Sequence, residues 1–230
     1  MGVKFGEFHS KDTYGMDFLS YKISAPVPKT NVIDVPLKDG VIDLTSALTG
    51  DVKYENRTIT ILLEVRDRRD MWPAKLTKIR SDLHGRVKNI IFDDDLAFYY
   101  TGRVSVGEIQ SNGSTGTLTI TVDAEPFKYD ITPSDIDWEW DTFDLVNGII
   151  NEAGEIVVRG TTVFMLICRQ KRTFPTFTAS TDMTVEFEGE TYSLPAGSNK
   201  IYDIFLCEGE NVLTFKGNGT VSIKYIGGSL

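Results

Sequence analysis

The alternation of apolar and polar side chains in the first half of the chain is typical of β-strands. Residues 58–66 place an apolar side chain at almost every second position, which is the period of a half-buried strand. Similar runs predict strands at residues 20–25, 31–35, 58–65, 86–92, 96–102, 104–110 and 116–122. Turn-favouring residues at 93–95 and 112–116 separate such runs and predict hairpin turns.

One segment of this half changes to a helical period. Its apolar residues recur at intervals of four, three and four, which places them on one face of a helix: Trp72, Leu76, Ile79 and Leu83. Pro73 suits the first helical turn, and Gly85 suits a left-handed exit position. The sequence therefore predicts a helix over residues 71–85. Because a lone amphipathic helix cannot bury its own stripe, we expect this one to pack on the sheet of an N-terminal β-sandwich.

The second half repeats short strand-like runs about every ten residues. They predict strands at residues 155–159, 163–169, 176–179, 184–187, 191–194, 200–207, 211–215 and 221–225. Glycines and a proline mark the turns between them, and no helical period interrupts them. This spacing indicates a jelly-roll or related sandwich. The predicted fold class is thus mainly β, with two β-sandwich domains and a single packed α-helix in the first.

An acidic run separates the two halves. Residues 135–144 contain five acidic side chains and no basic one, and Trp138 and Trp140 interleave with the acids. We therefore predict an N-terminal domain at 1–134, an acidic linker at 135–144 and a C-terminal domain at 145–230. The two indole rings are expected to rest on one of the domains.

The net charge of −9 comes largely from this linker. Residues 1–134 and residues 145–230 each carry a net charge of −2, and neither half has a stripe of lysine and arginine. This distribution argues against stable nucleic-acid binding. No apolar run approaches the length of a membrane span, and the N-terminus lacks the apolar core of a signal peptide. We expect cytoplasmic synthesis and no membrane association.

Residues that could support catalysis or bind a metal are few. Of the two histidines, His9 lies near the terminus and His84 lies in the last turn of the predicted helix. We expect a structural role for His84, because a partly protonated imidazole is favourable near a helix C-terminus. The triplet Asp93–Asp95 offers oxygen ligands for calcium but lacks the spacing of an EF-hand, so a solvated hairpin tip is preferred. No nucleophile elbow, phosphate loop or dinucleotide motif appears. The sequence predicts no catalytic residue, no cofactor and no metal.

Cysteines and aromatic residues leave two alternatives open. Cys168 and Cys207 lie in apolar strand-like runs, which predicts buried, inert thiols, with a bridge between neighbouring strands as the alternative. Most aromatic residues occupy positions suited to a core. Four others are candidates for a sugar platform: Trp138, Trp140, Tyr192 and Tyr202.

The order of several strand and turn motifs resembles a known family. In the first half these are the motifs at 32–36, 39–40, 43–45 and 54–59, followed by the strand, helix and strand from 61 to 91. In the second half they are the motifs at 194–197, 201–204, 209–211 and 221–225. Together they resemble the distal tail proteins of long-tailed, non-contractile bacteriophages, encoded by a phage or prophage of a Gram-positive host.

The resemblance implies a structural rather than an enzymatic role. In that family the N-terminal sandwich assembles into a hexameric ring around the tail channel, and a galectin-like C-terminal sandwich projects outward. The ring joins the tail tube protein to a tail-associated lysin or fibre protein at the virion tail tip. Two rival interpretations remain: a carbohydrate-binding module or adhesin acting through the C-terminal sandwich, and a hydrolase with an unrecognised carboxylate pair.

A closed ring requires two different complementary surfaces on each subunit. The proline-punctuated segment 25–44 and the hairpin around 92–100 are the candidates for reaching a neighbour, with an ordinary edge strand and hairpin as the alternative. The candidate interface residues are Val32, Ile33, Val35, Phe92, Leu96 and Phe98.

Overall fold

The chain folds into two compact units. The computed structural model describes residues 1–47, 50–113, 115–136 and 152–230. The first unit comprises Met1–Asp95 and Tyr100–Pro126 with Leu230, and the second comprises Leu96–Tyr99 and Phe127–Ser229. Residues 127–134, expected in the first domain, thus cluster with the second unit. Most of the predicted acidic linker, including Trp138 and Trp140, lies outside the described residues.

Antiparallel strands build the first unit. Up to Ala124 the described strands are β1 (Val3–Phe5), β2 (Phe8–His9), β3 (Asp17–Ile23), β4 (Val32–Asp34), β5 (Val41–Asp43), β6 (Arg57–Val65), β7 (Val87–Phe92), β8 (Phe98–Asn112) and β9 (Thr115–Ala124). Seven of them follow the order β2-β1-β7-β8-β9-β6-β3, and β4 and β5 pair only with each other. Alternate residues of β6 and β9 are buried, and Ile61 lies directly opposite Ile120 in their register.

Helix α1 (Trp72–Leu83) packs on this sheet. It follows a 3-10 turn at Arg69–Met71. Ile79 and Leu83 are fully buried in the core of the first unit, and Trp72 and Leu76 pack against the same cluster. Gly85 adopts the left-handed conformation with φ +75°, as its position after the helix predicts.

One long strand replaces two predicted ones in the first unit. Residues 96–102 and 104–110 were expected as separate strands, but β8 runs through both with a bulge between Val106 and Ile109. A Cβ at Gly102 would lie 2.6 Å from the carbonyl oxygen of Asp123. The glycine therefore marks a close approach of β8 to β9 rather than a turn.

The second unit is a sandwich folded around two long strands. Its described strands are β10 (Lys128–Asp130), β11 (Ile156–Cys168), β12 (Thr176–Ala179), β13 (Met183–Phe187), β14 (Glu190–Leu194), β15 (Gly197–Lys200), β16 (Gly209–Lys224) and β17 (Gly228–Ser229). Strand β11 runs along the length of β16, whereas β13 pairs with its first part and β12 with its last part. The ring of Phe177 on β12 meets the ring of Phe215 on β16 edge-on at 6.2 Å, so the two parts face each other across a core.

Glycines explain why these strands were predicted as pairs of shorter ones. Gly217 and Gly219 have φ near +150° within β16, and Gly160 lies opposite Gly217 with φ +69°. They allow β11 and β16 to bend and continue where the sequence pattern suggests turns. The predicted strand at 200–207 is wrong: β15 ends at Lys200, and Ile204 and Leu206 are buried without belonging to a named strand.

The predicted fold class is confirmed. The chain is mainly β with β-sandwich domains, and its described residues contain one α-helix. No helix in the described part of the chain is long and apolar enough to cross a membrane.

Candidate subunit-interaction surface

An extended arm connects β3 to β6. We define the arm as residues 24–56 and consider its described part. Backbone hydrogen bonds continue the pairing of β3 with β6 into it: Ser24 donates to the Thr58 carbonyl at 3.0 Å, Glu55 to Val27 at 2.8 Å, and Lys29 to Lys53 at 2.7 Å. Strands β4 and β5 form its outer part.

The outer strands of the arm expose apolar side chains on both faces. Each strand reads Val-Ile-Asp, and all six residues are exposed. Ile33 lies opposite Ile42 on one face, whereas Val32 and Val41 lie opposite aspartates on the other. The four apolar side chains are 37–54% exposed. A two-stranded hairpin is only marginally stable alone in water, and clustered exposed apolar residues are typical of interaction sites.

The tip of the arm holds a leucine in an unfavourable conformation. Lys38 donates its backbone N–H to the Val35 carbonyl at 3.1 Å, and Pro36 and Leu37 occupy the centre of the turn. Leu37 has φ +69°, at a position where such turns usually place glycine or asparagine. A left-handed residue with a Cβ costs about 1–2 kcal/mol. Its side chain is fully exposed, so the single chain recovers none of this cost through burial.

The charge of the arm strands is negative. Asp34 and Asp43 are their two charged residues. The hydroxyl and backbone N–H of Thr45 lower the pKa of Asp43, and the N–H donates to Asp43 Oδ1 at 2.8 Å. Asp43 therefore stays ionised to a lower pH than an ordinary aspartate.

Four of the candidate interface residues are accessible to a neighbour. Val32, Ile33 and Leu96 are exposed, and Val35 is half-buried at the base of the tip turn. They remain candidates for an interface.

Phe92 and Phe98 do not fit the predicted interface, because each is only 2% exposed. The Phe92 ring stacks on Tyr21 with centroids 4.2 Å apart and belongs to the core of the first unit. In the second unit, the Phe98 ring lies 3.8 Å from Lys128 Nζ and 4.9 Å from the Arg169 guanidinium carbon. Both rings are covered by their own chain, so they are corrected to core positions.

Both histidines make structural contacts. His84 Nδ1 accepts a hydrogen bond from the Val106 N–H at 3.0 Å. This bond holds the ring beside β8 at the end of the helix. His9 lies between two carboxylates, with Nδ1 3.1 Å from Asp12 and Nε2 3.3 Å from Asp93.

The aspartates after β7 also make local contacts. They lie in the turn between β7 and β8, at the predicted hairpin tip. Asp93 lies near the N-terminal amine at 3.9 Å, and Asp94 accepts a hydrogen bond from the Tyr21 hydroxyl at 3.1 Å. Within the described ranges, no three histidine, cysteine, aspartate or glutamate side chains form a group that could hold a metal.

The two cysteines are free thiols. Cys168 is buried and Cys207 is half-buried. Burial raises the pKa of the Cys168 thiol to about 11, so it is protonated and unreactive at neutral pH.

The structure describes two of the four aromatic candidates for a sugar platform. Tyr202 is exposed, and its ring lies 6.1 Å from that of exposed Phe174. Tyr192 packs partly against the core of the second unit. Trp138 and Trp140 fall outside the described residues.

The fold of this chain is similar to that of a solved phage hub protein. The particular likeness is to the Dit protein (gp 19.1) of phage SPP1, described as a paradigm of the hub adsorption apparatus in phages that infect Gram-positive bacteria. The match covers 98% of both chains with a TM-score of 0.61 and 14% sequence identity. The resemblance predicted from the sequence is thus confirmed at the level of the fold. No protein-family model and no curated protein matches the chain.

Proposed function

We propose that this chain is a structural hub protein of a phage tail tip, without enzymatic activity. The observation that carries the proposal is the fold shared with the SPP1 hub protein over 98% of both chains. His84 accepts a hydrogen bond from the backbone of β8, which supports a structural role for that side chain.

The hub acts as a closed ring, which we expect to be a hexamer formed through the first unit. The arm supplies the projecting surface that a head-to-tail contact needs. Residues 1–134 carry a net charge of only −2 and no basic stripe. A channel lined by residues 1–134 would not retain DNA, because the affinity of a protein for DNA comes largely from the phosphates that its basic side chains neutralise.

The partners of the ring are a tail tube protein on one side and a tail-associated lysin or fibre protein on the other. The protein would therefore be located at the virion tail tip.

Two measurements test this proposal. Sedimentation velocity and negative-stain microscopy of the purified full chain should show rings with a central channel and sixfold symmetry. Antibody labelling of particles from the encoding phage or prophage should mark the tail tip. Label confined to the capsid, or its absence from assembled particles, would contradict the hub role whatever the oligomeric state in solution.

One observation favours a second function, carbohydrate binding by the second unit. Tyr202 and Phe174 form an exposed aromatic pair, and aromatic faces are suited to stacking on sugar rings. Calorimetric titration of the full chain with cell-wall polysaccharide fragments tests this function. Saturable heat that disappears in Tyr202→Ala but persists in Tyr192→Ala would support it, and an absence of heat from the wild type would reject it.

A further inference from the structure

One charged side chain lies among the buried residues of the first unit. Arg57, the first residue of β6, shares the buried face of that strand with Ile59 and Ile61. It is 5% exposed, and it is the one charged residue among the described buried residues. A charge that is removed from water is costly unless an opposite charge or hydrogen-bond acceptors compensate for it. The position of Arg57 therefore requires a counter-group.

The guanidinium group of Arg57 has one edge without an acceptor. Its Nε and Nη2 atoms are buried, and neither has a hydrogen-bond partner among the described residues. These two nitrogens lie side by side on one edge of the planar guanidinium, and we call this edge the fork. Arginine uses such an edge to donate two parallel hydrogen bonds to a carboxylate or a phosphate. The free donors of Arg57 therefore match two oxygen atoms carried on one centre.

The side chains around Arg57 supply no opposite charge. Ala124 lies directly opposite Arg57 on β9, and Gly102 on β8 lies opposite Ala124, so neither neighbour carries a polar side chain. The ring centroid of Tyr100 lies 5.7 Å from the guanidinium carbon. Burial raises the pKa of the Tyr100 hydroxyl, so this group stays uncharged at neutral pH. Burial also lowers the pKa of Arg57, and no carboxylate of the described residues opposes that shift.

We propose that Arg57 binds a small oxyanion inside the first unit through its fork. The ligand class is a carboxylate ion, or a related anion with two oxygens on one centre, because the two free donors lie side by side. Both nitrogens are buried in the single copy, so the surface of another chain does not reach them. A small ion reaches a buried site through local opening of the fold. The bound ion supplies the missing counter-charge and stabilises the folded unit.

Thermal unfolding of the full chain in sodium formate and in sodium chloride at equal ionic strength tests the site. Formate offers two oxygens to the fork, whereas chloride offers a single atom and controls for general salt effects. Above the dissociation constant, each tenfold increase in formate should raise the melting temperature by roughly 3–5 °C more than chloride does. Equal responses of the wild type to the two salts would overturn the inference.

Two variants separate the fork from the charge. Arg57→Met removes both, so it should lose the formate-specific shift, and in chloride it should melt at or above the wild-type temperature because an uncompensated buried charge is gone. Arg57→Lys keeps the charge without the fork and should lose most of the shift. Arg86→Met, at an exposed residue of the same unit, is the matched control and should respond like the wild type. A formate-specific shift that persists in Arg57→Met would overturn the inference. A much lower melting temperature of Arg57→Met in chloride would also overturn it, because the guanidinium would then be compensated by its own chain.

Nuclear magnetic resonance detects the contact directly. In nitrogen-15-labelled protein, the Nε–H signal of Arg57 is identified by its loss in Arg57→Lys. This signal should move saturably as formate is added and should not respond to chloride in the same way. A signal that is insensitive to formate would count against the site even if the melting temperature rises. None of these outcomes bears on the hub role, which labelling of tail particles decides separately.

Discussion

Replacement of Leu37 by glycine separates the stability of the single chain from its assembly. Leu37 occupies a left-handed turn position at the tip of the arm, and its side chain is fully exposed. Glycine adopts φ near +69° without a steric cost. The substitution therefore relieves strain in the monomer while it removes the apolar side chain best placed to reach a neighbour.

The magnitudes of the two effects differ. Relief of the left-handed conformation is worth about 1–2 kcal/mol, and the greater freedom of glycine in the unfolded chain offsets about 0.5–1 kcal/mol of it. The free energy of unfolding should thus stay unchanged or rise by up to about 1.5 kcal/mol. If a neighbour buries Leu37, the contact loses about 1.5–3 kcal/mol, which corresponds to a roughly 10- to 100-fold weaker association.

Denaturant unfolding and sedimentation velocity on the same samples measure both quantities. Leu37→Met is the matched control, because it keeps the strain and an apolar side chain and should assemble like the wild type. Unaltered assembly of Leu37→Gly would refute the argument that the tip is buried by a neighbour. A marked loss of monomer stability would show instead that the leucine supports its own chain.

Three further predictions concern the folded chain itself. Leu83→Ala removes a fully buried helix residue and should cost about 2–5 kcal/mol of unfolding free energy in denaturant titration, whereas exposed Ser81→Ala in the same helix should cost little. Gly102→Ala should lower the melting temperature, because its Cβ would lie 2.6 Å from the Asp123 carbonyl oxygen; an unchanged melting curve would show that β8 and β9 can separate there. Burial raises the pKa of Cys168 from 9.0 to about 11, so the folded state holds this proton more tightly than the unfolded state. Its contribution to stability is present below pH 9 and is lost as pH rises through 11, and Cys168→Val should flatten this part of the stability–pH curve.

The elements that could be predicted from the sequence are those with a local cause. The alternation in β6 and the change of period at Trp72 each arise from the geometry of one element and its buried face. The exit of the helix at Gly85 was equally predictable, since a left-handed position after a helix favours glycine.

The long bent strands could not be predicted in this way. Glycines at 160, 217 and 219 interrupt the apolar alternation, and a single sequence does not distinguish a turn from a bend whose strand continues. The distinction depends on the partner strand: β16 continues through its glycines because β11 remains paired along it. Pairing between distant segments is a tertiary property, so it cannot be predicted from the local pattern of apolar and polar residues.

The same limit explains why the predicted interface mixed core and surface residues. Phe92 and Ile33 both lie in short apolar strands, yet Phe92 is covered by Tyr21 from a distant strand, whereas the two-stranded β4–β5 hairpin leaves Ile33 half exposed. An assembly surface must look like core in sequence, because it becomes core once the neighbouring copy is in place. In a chain that assembles, the apolar strand residues without cover from their own fold are therefore the ones to test first, and they include the outer strands of the arm.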